Sequence, residues 1–498
     1  MQGTGIRLFM SGVLLATVGG NVQAEALQPD PAWQQGKLNN GFSWQVLTTP
    51  QRPNDRIELR LMVNTGSLAE NQQQTGYARL LPRLALTHSE TFSAAQLKSF
   101  WQQAGEQAEN NVHPQAPAVV TYDYTLYSLS LPNGRPDVLK DALKWLMNTG
   151  GHLTINSSAL HTALQGADPV ATVPIDPRGA WWHYRLKGSV LLSHDPSQQA
   201  RTPINVQQLQ QFYQHWYTPD AMTLYVVGNV DSRALNEQIV KTFSSLKGRR
   251  ETPSTLPTLS PLVAQPVSLI GEGVKEDSLK LVWDTPWQPI HDSRALNRYW
   301  RSDLAREALF LHIQQAMNHN NLKPTNLRFD CNVHYQRAQC ALHIDTSAEN
   351  LTPAMTFVSH ELANLRNNGL SQSEFDALMT RKTAELGTLF ATYARMDTDV
   401  LMRQRLRSQQ NDVVDIAPEQ YQKLRNEFLT KLTLEMLNQE LRARLSQNAT
   451  LVLMQPKGEP EINMKALQET YEHIIAPGPQ PSSVDESKPD VTDIPPQS

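Results

Sequence analysis

One succession of residue types occurs twice in this chain, so the chain is constrained to build the same unit twice. Ile204 through Val227 reads as an amphipathic helix with Leu209, Phe212, Tyr213 and Trp216 on one face. Thr218-Pro219-Asp220 and a strand from Met222 to Val227 follow. Leu432 through Leu445 is helical again, with Leu437, Leu441 and Leu445 on one side, and Ser446-Gln447-Asn448 leads into a strand from Thr450 to Met454. Ala221 falls on Ala449 with no gap in between, a spacing of 228. One repeat therefore spans roughly 36–248 and the other roughly 265–475.

The rest of each half mixes strands and helices. Ile57 to Val63 alternates as a strand, and Val119 to Ser130 reads as one strand through Val120, Tyr122, Tyr124 and Leu126. Asn133-Gly134 turns into a helix from Pro136 to Met147, with proline at a tolerated first-turn position. In the second half Leu279 to Trp283 is a strand, while Ser302 to Met317 and Met355 to Arg366 are helices. Ser371-x-x-Glu374 forms a capping box for the next helix. The expected fold class is α+β, two duplicated two-layer lobes at 25–248 and 265–475. The proline-rich stretch 249–264 reads as a linker, and the polar, proline-rich residues 476–498 read as a disordered tail.

A net charge of −4 over 498 residues gives no footprint for nucleic acid. Arg7, an apolar run from Leu8 to Val18 and the small-x-small site Val22-Gln23-Ala24 read as a signal peptide, residues 1–24, cut after Ala24. No later segment approaches eighteen apolar residues, so the expectation is export to the periplasm with no stable membrane anchor after signal removal. The two cysteines, Cys331 and Cys340, flank an expected hairpin. A cross-strand disulfide and a pair of reduced thiols are both open readings, and their spacing with His334 and His343 matches no zinc pattern.

Asn40-Gly41, Gly66-Ser67, Glu70, Gly76 and Ala78 occur in the order of a strand, a turn and a helix start. Leu209-x-x-Phe212-Tyr213-x-x-Trp216-Tyr217-x-Pro219 runs on to Val226-Val227-Gly228, and Asn368-Gly369-Leu370-Ser371-x-x-Glu374 lies in the second half. Together these residues resemble the insulinase/pitrilysin-type peptidases, the inverted-zinc-motif (inverzincin) family, from about residue 36 to 455. The resemblance implies the family's two-lobed fold and, at Gly76-x-Ala78, the helix that carries His-x-x-Glu-His. In that motif two histidines four apart bind zinc while the glutamate takes a proton from metal-bound water. The aligned positions here are Arg79, Pro82 and Arg83. A guanidinium has no acceptor lone pair and repels a cation, and proline neither ligates nor acts as a base. The family's further glutamate ligand has no counterpart either, because no glutamate lies between Glu109 and Glu237, and Asp168 or Asp176 would be shorter substitutes. Zinc, the cofactor the family implies, is therefore not expected.

Arg79 and Arg83 are candidates to bind a carboxylate or other anion, including that of a peptide. Alternatively they neutralise acidic residues of the opposite lobe or face solvent. Pro82 is expected to kink the helix. His360-Glu361-x-x-Asn364 is one residue short of another zinc-peptidase signature, and His88, Glu90 and His113 are weak candidates to rebuild a site. Trp181-Trp182-His183-Tyr184 reads as lobe-interface packing or a stacking surface. The expected role is non-catalytic: a clamshell that binds a peptide or a protein partner in a chamber between the lobes. The alternatives are a metallopeptidase active only beside a family member with an intact zinc motif, and one that uses non-standard ligands.

Overall fold

The computed structural model describes residues 24–52, 56–89, 91–98, 116–172, 175–320, 322 and 325–476. The expected signal peptide before Ala24, Glu90, His113 and the tail beyond Ala476 lie outside these described residues.

The first sheet comprises β1 (Trp33–Lys37), β2 (Ser43–Thr48), β3 (Arg56–Val63), β4 (Ala118–Val120), β5 (Thr125–Pro132), β6 (Val170–Ala171) and β7 (Met222–Gly228), in the order β1-β2-β7-β3-β5-β4-β6. Its helices are α1 (Tyr77–Thr87), α2 (Pro136–Gly151), α3 (Ser157–Gln165), α4 (Ala180–Arg185), α5 (Val190–Ser193), α6 (Val206–Trp216) and α7 (Ser232–Phe243). The second sheet comprises β8 (Val267–Gly271), β9 (Ser278–Pro286), β10 (Asn326–His334), β11 (Arg337–Asp345) and β12 (Thr450–Pro456), in the order β10-β11-β9-β12-β8. Its helices are α8 (Ser293–His319), α9 (Ala348–Asn368), α10 (Gln372–Gly387), α11 (Leu389–Arg395), α12 (Thr398–Gln410), α13 (Pro418–Lys431), α14 (Leu434–Leu445) and α15 (Met464–Ile475).

Read from opposite ends, the sheets superimpose as a topology. β2-β7-β3-β5-β4 answers to β8-β12-β9-β11-β10, and the one parallel pair of each set, β2 with β7 and β8 with β12, stands in the same place. The period-two pattern explains the layers. Ile57, Leu59, Leu61 and Val63 of β3 enter the first core with Leu81, Leu84, Trp145 and Ile239 from α1, α2 and α7. Leu279 and Leu281 of β9 enter the second core with Leu304, Val358, Leu437 and Leu467 from α8, α9, α14 and α15.

The other face of each sheet meets the opposite lobe. Leu401, Met402 and Leu406 of α12 cover Leu47, Tyr225 and Val227 of the first sheet. Trp181 and Tyr184 of α4 cover Val267, Val282 and Val452 of the second. Each lobe thus lends a helix to the sheet of the other, which fills the facing surfaces where a chamber was expected. A cavity of about 210 Å³ remains at this seam, lined by Trp33, Arg405 and Asp412 among others.

Three sequence expectations change. Val119 to Ser130 is not one strand: Thr121 closes a turn, its Oγ1 donating to the Tyr124 carbonyl at 3.1 Å, and β4 folds back onto β5. The second-lobe helix begins at Ser293 rather than Ser302, capped by the Asp292 carboxylate, which accepts from Ala295 N–H at 2.8 Å. Residues 25–30, placed with the first lobe by sequence, run along the second. Leu27 N–H donates to the His291 carbonyl at 2.9 Å, and the Leu27 side chain is buried in the second core.

Candidate functional site

The start of α1 is built by close backbone approaches that only glycine permits. Gly76 has φ +85°, and a Cβ there would collide with the backbone of Gln199 and Ala200. At Gly66 a Cβ would run into Thr121 and Tyr122. Between them Glu70 turns inward and ties the helix start, accepting from Ala78 N–H at 2.7 Å and Gly76 N–H at 3.0 Å. Burial pushes the Glu70 carboxyl up to about 8 against the pull of these two amides.

On this frame α1 runs unbroken through the buried Pro82. Arg79 leaves the helix toward the segment after α3. Its Nε donates to Asp168 Oδ2 at 2.6 Å, and its Nη2 donates to the Val170 carbonyl at the start of β6. Arg83 Nη2 donates to the carbonyls of Gly166, at 2.7 Å, and Leu164, at 3.3 Å. Asp168 also accepts from Gln199 Nε2 and Val170 N–H, each at 2.9 Å. Burial opposes its ionisation, but these hydrogen bonds and the Arg79 guanidinium outweigh burial and hold the carboxyl below the usual range. The carboxylate that sequence reasoning sought in a ligand or in the opposite lobe is supplied by the same lobe, the helix end and loop from Leu164 to Val170 being pinned to α1. Both guanidiniums are largely committed within their own lobe.

The remaining candidates are scattered. Asp176 is exposed and pairs with Arg178 at 3.2 Å. His88 is exposed just past the end of α1. His360 is exposed, and Glu361 turns instead to His312 of α8 at 2.8 Å, whose other ring nitrogen meets Glu374 at 2.5 Å. No motif flagged His312, since its partners lie on two other helices. Cys331 and Cys340 face each other across β10 and β11 and are joined, with an S–S distance of 2.06 Å. They have no thiolate to offer His334, whose half-buried ring packs edge-on against Trp182, or His343, which pairs with Asp330 at 2.9 Å. Among the described residues no group of three or more His, Cys, Asp or Glu side chains is arranged to hold a metal ion.

The profile described as Insulinase (Peptidase family M16) matches residues 45–168, and the one described as Peptidase M16 inactive domain matches 203–382. A protein from Escherichia coli K12 named YhjJ is 56% identical over 500 residues, covering all of both chains. The chain belongs to the insulinase family, peptidase family M16. Among M16 structures, one described as a predicted insulinase family protease from Yersinia pestis is 63% identical, with a TM-score of 0.87 over 94% of this chain and 100% of its own. The periplasmic protease PqqL from Escherichia coli shares the fold at 19% identity and a TM-score of 0.74. The match covers 91% of this chain but only 51% of PqqL. An M16 chain of this length is thus comparable to one half of PqqL.

Proposed function

We propose that this chain is a non-catalytic M16 protein of the periplasm that works by binding a protein or peptide partner. One observation carries the reading: the α1 positions that align with the zinc motif hold Arg79 and Arg83, and the Arg79–Asp168 ion pair fills the space beside them. A guanidinium there supplies the positive charge that a metal would otherwise bring to α1, and it offers no ligand and no activated water. The signal-like start of the chain and the periplasmic setting of PqqL support export. Because α4 and α12 fill the faces between the lobes, the partner is met by outer surfaces rather than by a cleft within the chain.

The test is the zinc content of the mature chain, residue 25 onward, after dialysis against a weak chelator, read beside hydrolysis of unstructured peptides. Near-zero zinc with no hydrolysis is the expected result. One zinc per chain, or hydrolysis abolished by a chelator, overturns the reading.

The half-length match to PqqL favours a second reading, in which the chain completes a peptidase by pairing with a zinc-bearing M16 chain. Copurification with such a chain, and peptide hydrolysis that needs both, would replace the first reading.

A further inference from the structure

The two sheets share a five-strand core but end differently. In the first sheet the outer core strands β2 and β4 are covered by β1 and β6; in the second the corresponding strands β8 and β10 are the edges. β8 has five residues, whereas β10 has nine and pairs with β11 residue for residue from Asn326 to His334 without a bulge. Alternate residues of an edge strand direct N–H and C=O groups away from their only neighbour. Asp330, Cys331 and Asn332 are exposed in succession, so both faces of this part of the strand reach solvent, and the Cys331–Cys340 bridge ties it in register to β11. β10 contains no proline, lysine or bulge, so of the devices that blunt a long edge it carries only the charges of Arg328 and Asp330.

The order of charges identifies what fits. Arg328 and Asp330 lie on one face of β10; Arg328 pairs with Asp345 at 2.8 Å and Asp330 with His343 at 2.9 Å, both on β11. A second β10 laid antiparallel, with Phe329 opposite Phe329, sets Arg328 of each copy against Asp330 of the other. Asp345 and Arg328 of one copy then continue into Asp330 and His343 of the next, an alternating row across the junction. The relation is self-complementary, as a two-fold interface requires. A foreign peptide has no reason to supply this order. We infer that β10 is a docking strand for β10 of a second copy of this chain, joining two five-stranded sheets into one. This surface is independent of α1 and of the reading proposed for it.

The test is sedimentation equilibrium of the mature chain, its disulfide intact, at micromolar concentrations. The wild type is expected to dimerise. Arg328→Asp opposes two aspartates across each half of the junction and is expected to weaken dimerisation at least about tenfold. The exchange variant R328D/D330R restores opposite signs and is expected to restore the dimer. Asp330→Arg gives a second single reversal should Arg328→Asp not fold, with far-UV circular dichroism as the check. A monomeric wild type, a dimer indifferent to both single reversals, or failure of the folded exchange variant to recover overturns the inference.

Discussion

β3 of the first lobe and β9 of the second stand at the same place in their sheets, and each turns a charge toward the opposite lobe. On β3 it is Arg60, met by Glu58 of its own strand at 3.1 Å and by Asp399 of α12 at 3.2 Å. On β9 it is Asp284, met by Arg337 of its own sheet at 2.6 Å and by Arg185 of α4 at 3.7 Å. The arrangement is the same and the signs are reversed. The core-facing residues of both strands are apolar, aliphatic throughout in β3 and aliphatic but for Trp283 in β9, whereas the seam-facing residues complement one another. Duplication therefore supplied the architecture, and divergence at the seam turned two like units into one body.

The largest effect should come from breaking these networks one at a time. Arg60→Ala leaves buried Glu58 without its ion-pair partner, while Asp399 keeps Arg403 of its own helix at 3.0 Å. Because Glu58 is already pushed upward by burial and pulled back by Arg60, the loss is expected to cost about 3–5 kcal/mol in urea denaturation. Asp284→Ala strands Arg185 and Arg337, and a similar cost would confirm that the seam is held equally from both sides. A cost near zero for either would break the comparison and show that apolar packing by α4 and α12 holds the lobes alone.

Next in size is a bond that only the second lobe possesses. Cys331→Ser with Cys340→Ser opens a loop of nine residues' separation, and chain entropy puts its closure at about 2–3 kcal/mol. Denaturation midpoints with and without reductant measure this, and the double variant should be indifferent to reductant. If the lobes unfold separately, the shift belongs to the second lobe's transition alone.

Much of the fold was legible because the repeat is carried by apolar periodicity: Leu209, Tyr213 and Tyr217 with the strand after them return as Leu437, Leu441 and Leu445 with theirs. The gap at Arg79, Pro82 and Arg83 was equally plain, since it is a matter of residue type at fixed spacing. Long-range pairing was not legible. Nothing local to Asp168 announces that Arg79 will be its partner 89 residues away, and Leu27 carries no sign that it will cross to the second lobe. The break at Thr121–Tyr124 was hidden because buried residues continue the alternation on both sides of the turn. His312 was hidden for the same reason as Asp168: its meaning depends on Glu361 and Glu374, which only the folded helices bring to it.

The third prediction concerns α1. Arg79→Ala removes a charged hydrogen bond from a half-buried Asp168 and is expected to cost about 1–2 kcal/mol. The variant R79H/P82E/R83H sharpens the contrast with a metal-bearing helix, because Asp168 already reaches the side chain at 79. It is expected to take up zinc that the wild type does not, and to lose it again with Asp168→Ala. Zinc stoichiometry after dialysis decides, and no uptake would mean that the shorter carboxylate cannot complete a ligand set.

The smallest effect, and the most specific to the first lobe, is the pH dependence set by Glu70. Its carboxyl titrates at about 8 in the folded protein, against an ordinary value of 4.5. Between those values the folded chain keeps a proton that the unfolded chain has released. Its contribution to stability is therefore fully present below pH 4.5, falls as pH rises, and is gone above about pH 8. Glu70→Gln removes this slope while costing some hydrogen bonding, because an amide presents one acceptor oxygen where Gly76 and Ala78 use two. The counterpart helix α8 is capped by Asp292, which is only half-buried and ties a single amide. Denaturation of the wild type and Glu70→Gln from pH 5 to pH 8 should give curves that converge toward high pH. Parallel curves would mean that Glu70 is solvated at the start of α1, and that this helix is held by its glycine contacts rather than by a buried carboxyl.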